Sequence, residues 1–209
     1  MRKIEAAARL TLMSTALLAT AACSAGGATG TAASTSTAAA LSSPPPPRSE
    51  QAPPVPNPLD PGGFVEDPCR SLTVAQTADL QIQELGTKKD VGIDNIKGCN
   101  WQFGANHEWR IQVAYVVPRA KNGLQNLYDQ KSVGWFDHGY FVPTSVAGYP
   151  GLFSNFSDTR PHGRCDLAIG INGQMMLTTA VTGEATKDNC KAASTVAERI
   201  ITTIKSGGN

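Results

Sequence analysis

The first 63 residues of the chain contain none of its 13 aromatic residues but hold most of its 14 prolines. A stretch that is rich in proline and lacks aromatic side chains cannot bury enough apolar surface to compensate for the entropy lost on ordering. In a chain of 209 residues, the part that can form a core therefore begins near Phe64 and corresponds to one domain.

The chain also lacks an excess of charge of either sign, with 18 lysines and arginines against 17 aspartates and glutamates. Proteins that bind nucleic acid through its phosphates usually carry a basic patch or a high positive charge. The sequence therefore predicts no nucleic-acid partner.

Recognisable catalytic motifs are missing as well: there is no GxSxG elbow, HExxH zinc motif, phosphate-binding loop or GxGxxG fingerprint. His107, His138 and His162 are far apart in the sequence, and we interpret them as solvated polar residues. Ser145 or Ser154 as a nucleophile would need a partner base, whose position the sequence cannot give. We therefore predict a protein that is not an enzyme and holds no metal or other cofactor.

The N-terminus has the layout of an export signal. Three basic residues precede residues 10–22, an uncharged stretch that is too short to span a membrane comfortably. Two alanines then precede Cys23, and here the sequence resembles a bacterial lipoprotein precursor, in which such a cysteine receives a diacylglycerol and becomes the new N-terminus. We predict that residues 1–22 are a signal peptide and that Cys23 is lipidated. The alternative is an ordinary secretory signal followed by a chance cysteine.

Residues 23–63 consist mainly of Ala, Ser, Thr, Gly and Pro with few charged side chains. This composition predicts a disordered tether between the lipid anchor and a single domain at residues 64–209. A protein built in this way is held by its N-terminal lipid at the extracytoplasmic face of the cell membrane.

Four cysteines remain in the predicted domain, in an exported protein where disulfides persist. A zinc site is the competing interpretation, but no CxxC spacing occurs. Cys190 lies on the apolar stripe of a C-terminal helix and Cys165 on an apolar strand face, so we pair these two. Cys69, just before the first helix, then pairs with Cys99 in the first strand.

Hydrophobic periodicity predicts helices at residues 74–85, at 122–131 and after Cys190, and strands at 99–103, 109–115, 139–143, 151–156, 164–171 and 174–181. Asn172 and Gly173 predict a two-residue turn that sets Ile169 opposite Met176. These elements predict an α+β fold, an antiparallel sheet of about five or six strands with the N-terminal and C-terminal helices packed mainly on one face.

Aromatic residues are concentrated in two regions. Those of the first predicted hairpin fit its core face: Trp101, Phe103, Trp109 and Tyr115. Seven more occur within 22 residues: Trp135, Phe136, Tyr140, Phe141, Tyr149, Phe153 and Phe156. Since seven exceed what one face of a small sheet needs, they are candidates for a ligand groove or a partner-facing patch. The competing interpretation is that they close the open end of the core.

Several short motifs carry a resemblance to a known family. They are residues 67–73 (DPCRSLT), Leu85-Gly86, Cys99-Asn100-Trp101, residues 146–149 (VAGY), Cys165 and Cys190. With these motifs, residues 64–205 resemble the actinobacterial lipoproteins grouped as domain of unknown function 3558. The resemblance implies a lipid-anchored surface protein of an actinomycete, and it transfers no catalytic residue because no activity is assigned to the family.

The sequence therefore predicts a lipid-anchored, non-enzymatic binding or accessory module. One hypothesis is capture of an apolar or amphipathic small molecule; a second is interaction with a surface protein of a cell-wall or transport assembly; a third is a hydrolase with an unrecognised site. A closed pocket walled by the aromatic residues of 135–156 would favour the first, and a flat exposed apolar patch the second. A cleft with converging serine, histidine and carboxylate groups would favour the third.

Overall fold

The computed structural model describes residues 49–91 and 96–207. The predicted signal peptide, Cys23 and most of the predicted tether lie outside these residues. Within the described ranges, no helix combines the length and the apolar character needed to cross a membrane.

One antiparallel sheet organises the domain, and in the described chain it has seven strands. In chain order they are β1 (Thr87–Val91), β2 (Ile96–Phe103), β3 (Trp109–Val116), β4 (Tyr140–Val146), β5 (Tyr149–Asn155), β6 (Arg164–Gly170) and β7 (Met176–Thr182). Their spatial order is β1-β2-β3-β7-β6-β5-β4. Strands β1 and β4 are therefore the two edges, and the last strand in sequence lies at the centre.

The predicted number of five or six strands is wrong, because β1 was not recognisable from its sequence. Four of its five residues are exposed, and Lys88, Lys89 and Asp90 give it no apolar alternation. It is held as an edge by its pairing with β2, in which Lys88 lies opposite Cys99. Charged side chains are common on edge strands, where they oppose pairing with another chain.

Three α-helices accompany the sheet: α1 (Val74–Asp79), α2 (Gln125–Ser132) and α3 (Asn189–Lys205). Helix α3 packs on β6 and β7, and the Thr179 hydroxyl on β7 donates a hydrogen bond to the Ala193 carbonyl at 3.1 Å. Helix α1 contacts α3, because the Gln76 amide donates to the Arg199 carbonyl and accepts from the Thr203 hydroxyl.

Helix α1 ends six residues earlier than predicted, at Asp79 instead of residue 85. Gln81 adopts a positive φ of 59°, and the N–H of Ile82 donates to the carbonyl of Thr77, which closes a Schellman turn. The turn directs Ile82 into the core and leaves Leu85 94% exposed. Leu85 therefore does not belong to the apolar face that the helical spacing predicted.

The turn between β6 and β7 also differs from the prediction. The Asn172 side-chain oxygen accepts hydrogen bonds from the N–H groups of Gln174 and Met175, at 3.0 and 2.9 Å. The N–H of Ile171 donates to the carbonyl of Met175, so the loop contains three residues instead of two. Asparagine commonly closes a turn with its own side chain in this way.

The extra loop residue shifts the register of β7 by one position. Ile169 pairs with Leu177 and not with Met176, and Leu167 pairs with Thr179. Because a shift of one residue exchanges the two faces of a strand, Leu177 joins the main core and Met176 faces the other side. The predicted pairings on this hairpin are therefore wrong by one residue.

Two apolar clusters lie on opposite faces of the sheet. The main core joins α3 to the strand face that carries Trp101, Val113, Leu167, Ile169, Leu177 and Val181. The smaller cluster packs α2 against the other face and contains Leu124, Tyr128, Leu152, Ala168 and Met176. A packing of helices on one face is therefore not confirmed for the domain as a whole.

The two disulfides have the predicted pairing, Cys69 with Cys99 and Cys165 with Cys190. The first bridge ties the short 3₁₀ helix Pro68–Ser71 to β2, and the second ties the start of α3 to β6. A side chain on Gly86 would place its Cβ 2.4 Å from the Cys99 sulfur. Gly86 is therefore needed for close packing beside the first bridge and not, as the sequence suggested, for ending a helix.

Ordered contacts begin before Phe64, within the segment that the sequence assigned to the tether. The Leu59 N–H donates to the Ile171 carbonyl at 2.7 Å, and the Ala52 N–H donates to the Gln125 side chain at 2.8 Å. Val55 and Leu59 are partly buried against the main core. The domain therefore extends at least to Glu50, whose carbonyl accepts a hydrogen bond from Gln125.

We expect the paired change Cys165→Ala and Cys190→Ala to lower the free energy of unfolding by about 3.5 kcal/mol, because it removes a loop constraint from the unfolded chain. This loss corresponds to a fall in Tm of roughly 10 °C for a domain of this size. Calorimetry of the oxidised proteins measures both quantities. A wild-type Tm that dithiothreitol leaves unchanged would contradict the expectation.

Candidate ligand-binding cleft

A cleft of about 1380 Å³ opens on the α3 face of the sheet. It lies between α3, the β2–β3 hairpin and the segment that follows α1. Helix α3 covers β6 and β7, and the 3₁₀ helix Pro68–Ser71 covers β2 and β3 near Cys99. The far end of the β2–β3 hairpin remains uncovered, and Ile111, Val181 and Val196 form an apolar floor there.

Two aromatic residues build the hairpin wall of the cleft. Phe103 and Trp109 are directly paired across β2 and β3, and their rings stack with centroids 6.3 Å apart. A Cβ at Gly183 would lie 2.3 Å from the Trp109 ring. The indole therefore rests directly on the glycine backbone, which fixes the orientation of this wall. Both aromatic side chains are half-buried.

The opposite wall of the cleft forms because α1 ends at Asp79, earlier than predicted. Ala78 in the last turn of α1, Leu80 at its C-cap and Ile82 after the Schellman turn line this side of the cleft. A helix continuing to residue 85, as the sequence predicted, would not contain this turn. The cleft was therefore missed together with the turn that forms one of its sides.

The rim of the cleft is charged. The Glu108 carboxylate accepts hydrogen bonds from the backbone N–H of Glu108 itself and from the Asn106 N–H, the latter at 2.8 Å, and these bonds lower the pKa of Glu108. On the α3 side, Asp188 caps the helix by accepting from the Lys191 N–H at 2.9 Å. An apolar floor below a charged rim is suited to an amphipathic molecule.

A smaller groove of about 310 Å³ lies on the other face of the sheet. The Arg164 guanidinium at its polar end donates to Asp166 at 3.0 Å and to the Gln112 side chain at 2.7 Å. Asp166 also accepts from the Asn155 amide at 2.8 Å. The polar groups of this groove are therefore largely engaged with one another, which leaves fewer of them for a ligand.

The seven aromatic residues of 135–156 do not all come together. Four of them form one row of ring contacts: Trp135, Phe136, Phe141 and Phe156. Tyr140 is buried, and its hydroxyl accepts a hydrogen bond from the Asp166 N–H at 2.9 Å. Tyr149 and Phe153 pack in the main core, and none of the seven lines either groove. Phe136 and Phe141 lie on the α2 side with ring centroids 5.3 Å apart. The aromatic residues that do line a cleft, Phe103 and Trp109, were assigned to the core because their alternation continues that of Trp101. The signal that could have identified them as cleft residues was their position at the end of the hairpin, where no predicted element covers them.

The polar residues considered for catalysis are dispersed. His107, His138 and His162 are exposed, and the Nδ1 of His107 lies 3.3 Å from a Glu84 carboxylate oxygen beside the cleft. Ser145 is exposed on β4, and Ser154 lines the smaller groove. No histidine lines either groove, and the described residues contain no group of three or more His, Cys, Asp or Glu side chains placed to hold a metal ion.

The sheet, bridges and cleft define a class: a disulfide-bonded α+β domain with an open, apolar-floored cleft. A family model described as "Protein of unknown function (DUF3558)" matches residues 18–203. Because this match covers most of the chain, the protein belongs to that family. No curated protein and no solved structure matches the chain.

We expect Gly183→Ala to displace the Trp109 ring, because the added methyl group would occupy space that the ring fills. Overpacking of this kind lowers the free energy of unfolding by about 1–3 kcal/mol. Near-ultraviolet circular dichroism and chemical denaturation measure the two effects. Gly173→Ala is the control, since a Cβ there meets nothing within 4 Å. Equal stabilities of the two variants would contradict the assigned contact.

Proposed function

We propose that this protein is a surface lipoprotein of an actinomycete, anchored through Cys23 at the extracytoplasmic face of the cell membrane, and that it is a non-enzymatic binding module. Its ligand is an apolar or amphipathic small molecule that occupies the cleft beside α3. The observation that carries the proposal is the combination of an apolar floor, a stacked aromatic wall and a charged rim in a cleft of about 1380 Å³.

The size of the cleft favours an extended ligand. Pockets for drug-sized molecules have volumes of about 300–1,000 Å³, and this cleft is larger. Burial of apolar area against Ile111, Val196 and the Trp109 ring would supply the main favourable free energy. Lys191 and Glu108 at the rim then contact the polar end of the molecule. A molecule that carries an acyl chain or a fused ring system and one polar group meets these conditions.

The residues that line the cleft favour ligand binding over catalysis. Their polar members are carboxylates, amides, Thr195 and Lys191, without a serine, cysteine or histidine. The smaller groove is the weaker candidate, because its guanidinium and carboxylate already pair with each other. The alternative function, contact with a protein of a cell-wall or transport assembly, would use exposed apolar surface such as the rings of Trp135 and Phe156.

A bulky side chain at Thr195 tests the cleft, with Thr202 as the matched control. Both threonines lie on α3 and donate through their hydroxyl to the carbonyl four residues earlier, but only Thr195 lines the cleft. We expect Thr195→Trp to weaken binding of 1-anilinonaphthalene-8-sulfonate by about tenfold or more, or ~1.4 kcal/mol, and Thr202→Trp to leave it unchanged. Fluorescence titration measures both affinities.

The same two variants test whether native ligands occupy the cleft. Compounds extracted from the oxidised wild-type protein should include one stoichiometric amphipathic species, present with Thr202→Trp and depleted with Thr195→Trp. Equal affinity of the two variants for the probe, or equal recovery of the extracted compound, would refute the cleft as the binding site.

The anchor is tested by mass spectrometry of the mature N-terminus. We expect the chain purified from membranes to begin at Cys23 and to carry the mass of a diacylglycerol, and Cys23→Ser to lack that mass. Two acyl chains give stable membrane attachment, whereas one chain is marginal. A mature chain with a free thiol at Cys23, or one that begins elsewhere, would contradict the anchor.

A further inference from the structure

An exposed apolar surface lies at the end of α2, and its residues line neither groove. Val133, Trp135 and Phe156 are 71%, 52% and 52% exposed, and together we call them the aromatic end. We propose that the aromatic end rests in the interface of the membrane to which the chain is tethered, an inference that rests on the proposed lipid anchor at Cys23. The docked surface is a lipid bilayer and not a protein.

The exposed rings are backed by a continuous row of aromatic contacts. Trp135 and Phe156 meet edge to face with centroids 5.3 Å apart, and Phe156 stacks on the buried Phe136 at 5.6 Å. Phe136 contacts Phe141, which meets Tyr128 of α2 edge to face at 5.0 Å. The outer rings are therefore an extension of a packed cluster and not isolated surface side chains.

The backbone below these rings is tightly packed. A Cβ at Gly139 would lie 1.8 Å from the Asn155 carbonyl oxygen, so the turn after α2 lies directly against the end of β5. Gly134 takes a positive φ of 84°, and the Trp135 N–H donates to the Gln130 carbonyl at 3.2 Å. Docking a surface that is already ordered costs little additional conformational entropy.

The tethered end of the chain reaches the domain beside the same helix. The Glu50 carboxylate lies 2.9 Å from the Lys131 ammonium group, and the Glu50 carbonyl accepts from Gln125 at 3.1 Å. Lys131 in turn lies 4.5 Å from the centre of the Phe141 ring. The last described residues before the anchor and the aromatic end therefore share one side of the domain.

The length of chain before Glu50 limits the distance to the membrane. Twenty-six residues lie between Cys23 and Glu50, so they span at most about 90 Å when fully extended. A surface held this close to a bilayer has a high effective concentration for it. A few aromatic side chains, which bind weakly by themselves, are then sufficient for contact.

The chemistry of the aromatic end matches a bilayer interface. Tryptophan and other aromatic rings are favoured at the level of lipid headgroups, where an apolar body and a polar edge are both satisfied. The nearby cations are already paired, Lys131 with Glu50 and Arg160 with Asp158. Docking should therefore depend on aromatic insertion and only weakly on salt concentration.

The three tryptophans allow a direct test by fluorescence. The lipidated full chain is reconstituted in vesicles of equal parts phosphatidylethanolamine and phosphatidylglycerol, with and without bromine on the acyl chains, since bromine quenches nearby indoles. Because the cleft can itself take up a bromolipid next to Trp109, the test uses Trp109→Phe, which removes the cleft tryptophan. We expect bromolipid-specific quenching in Trp109→Phe and its loss when Trp135→Phe is added to that variant. Trp101 is buried and contributes no quenching.

A second pair of variants, made in the Trp109→Phe chain, leaves Trp135 in place. Phe156→Ser should reduce the quenching by half or more, whereas Leu85→Ser, at a strongly exposed apolar position outside the aromatic end, should not change it. Quenching that persists after Trp135→Phe is added to Trp109→Phe, or its absence in a Trp109→Phe chain whose acyl mass is present, would overturn the proposal and favour a protein partner for the aromatic end. A chain without acyl mass would instead show failure of the anchor itself.

Discussion

The position of α3 on the sheet is the constraint on which the rest of the domain depends. The Cys165–Cys190 bridge fixes the start of the helix on β6, and its apolar stripe packs over β6 and β7. A helix held there cannot also cover the end of the β2–β3 hairpin. The same contacts that bury the main core therefore leave Phe103 and Trp109 as the wall of an open cleft.

The second constraint is a pair of turns, one that the sequence analysis did not predict and one whose length it predicted wrongly. The Schellman turn at Gln81 supplies one wall of the cleft, and the three-residue loop at Asn172 places Leu177 and Val181 under α3. Each turn depends on a few hydrogen bonds. Each nevertheless decides which side chains face the core, because a strand or helix that shifts by one residue presents a different face.

The elements that were predictable are those whose signal is local. Alternation of Trp101, Ile111 and Val113 identified the first hairpin, and the stripe through Ala193 and Ile200 identified α3. The disulfide pairing followed from placing cysteines on these two patterns, and the structure confirms it. Strand β1 was not predicted, because its stability comes from pairing with β2 and not from its own charged sequence. The cleft was not predicted, because it is formed by the part of the sheet that α3 does not cover. The position of α3 on the sheet is a property of tertiary packing.

The domain divides its exposed apolar surface between two places with different chemistry. The cleft combines an apolar floor with charged groups at its rim, whereas the aromatic end is a group of exposed rings on the side of the domain where Glu50 pairs with Lys131. If the aromatic end contacts a bilayer as proposed, amphipathic molecules dissolved in that membrane would have only a short distance to travel to the cleft. Family membership supplies no activity to compare with this account, so the geometry carries it.

The most direct measurement of the central claim is the set of three indole N–H resonances of the folded domain during titration with its extracted amphipathic compounds. The account predicts a saturable shift of the Trp109 resonance, whose ring lines the cleft, with Trp101 and Trp135 unchanged in the absence of lipid vesicles. A titration that leaves Trp109 unchanged, or that shifts only Trp135, would contradict it.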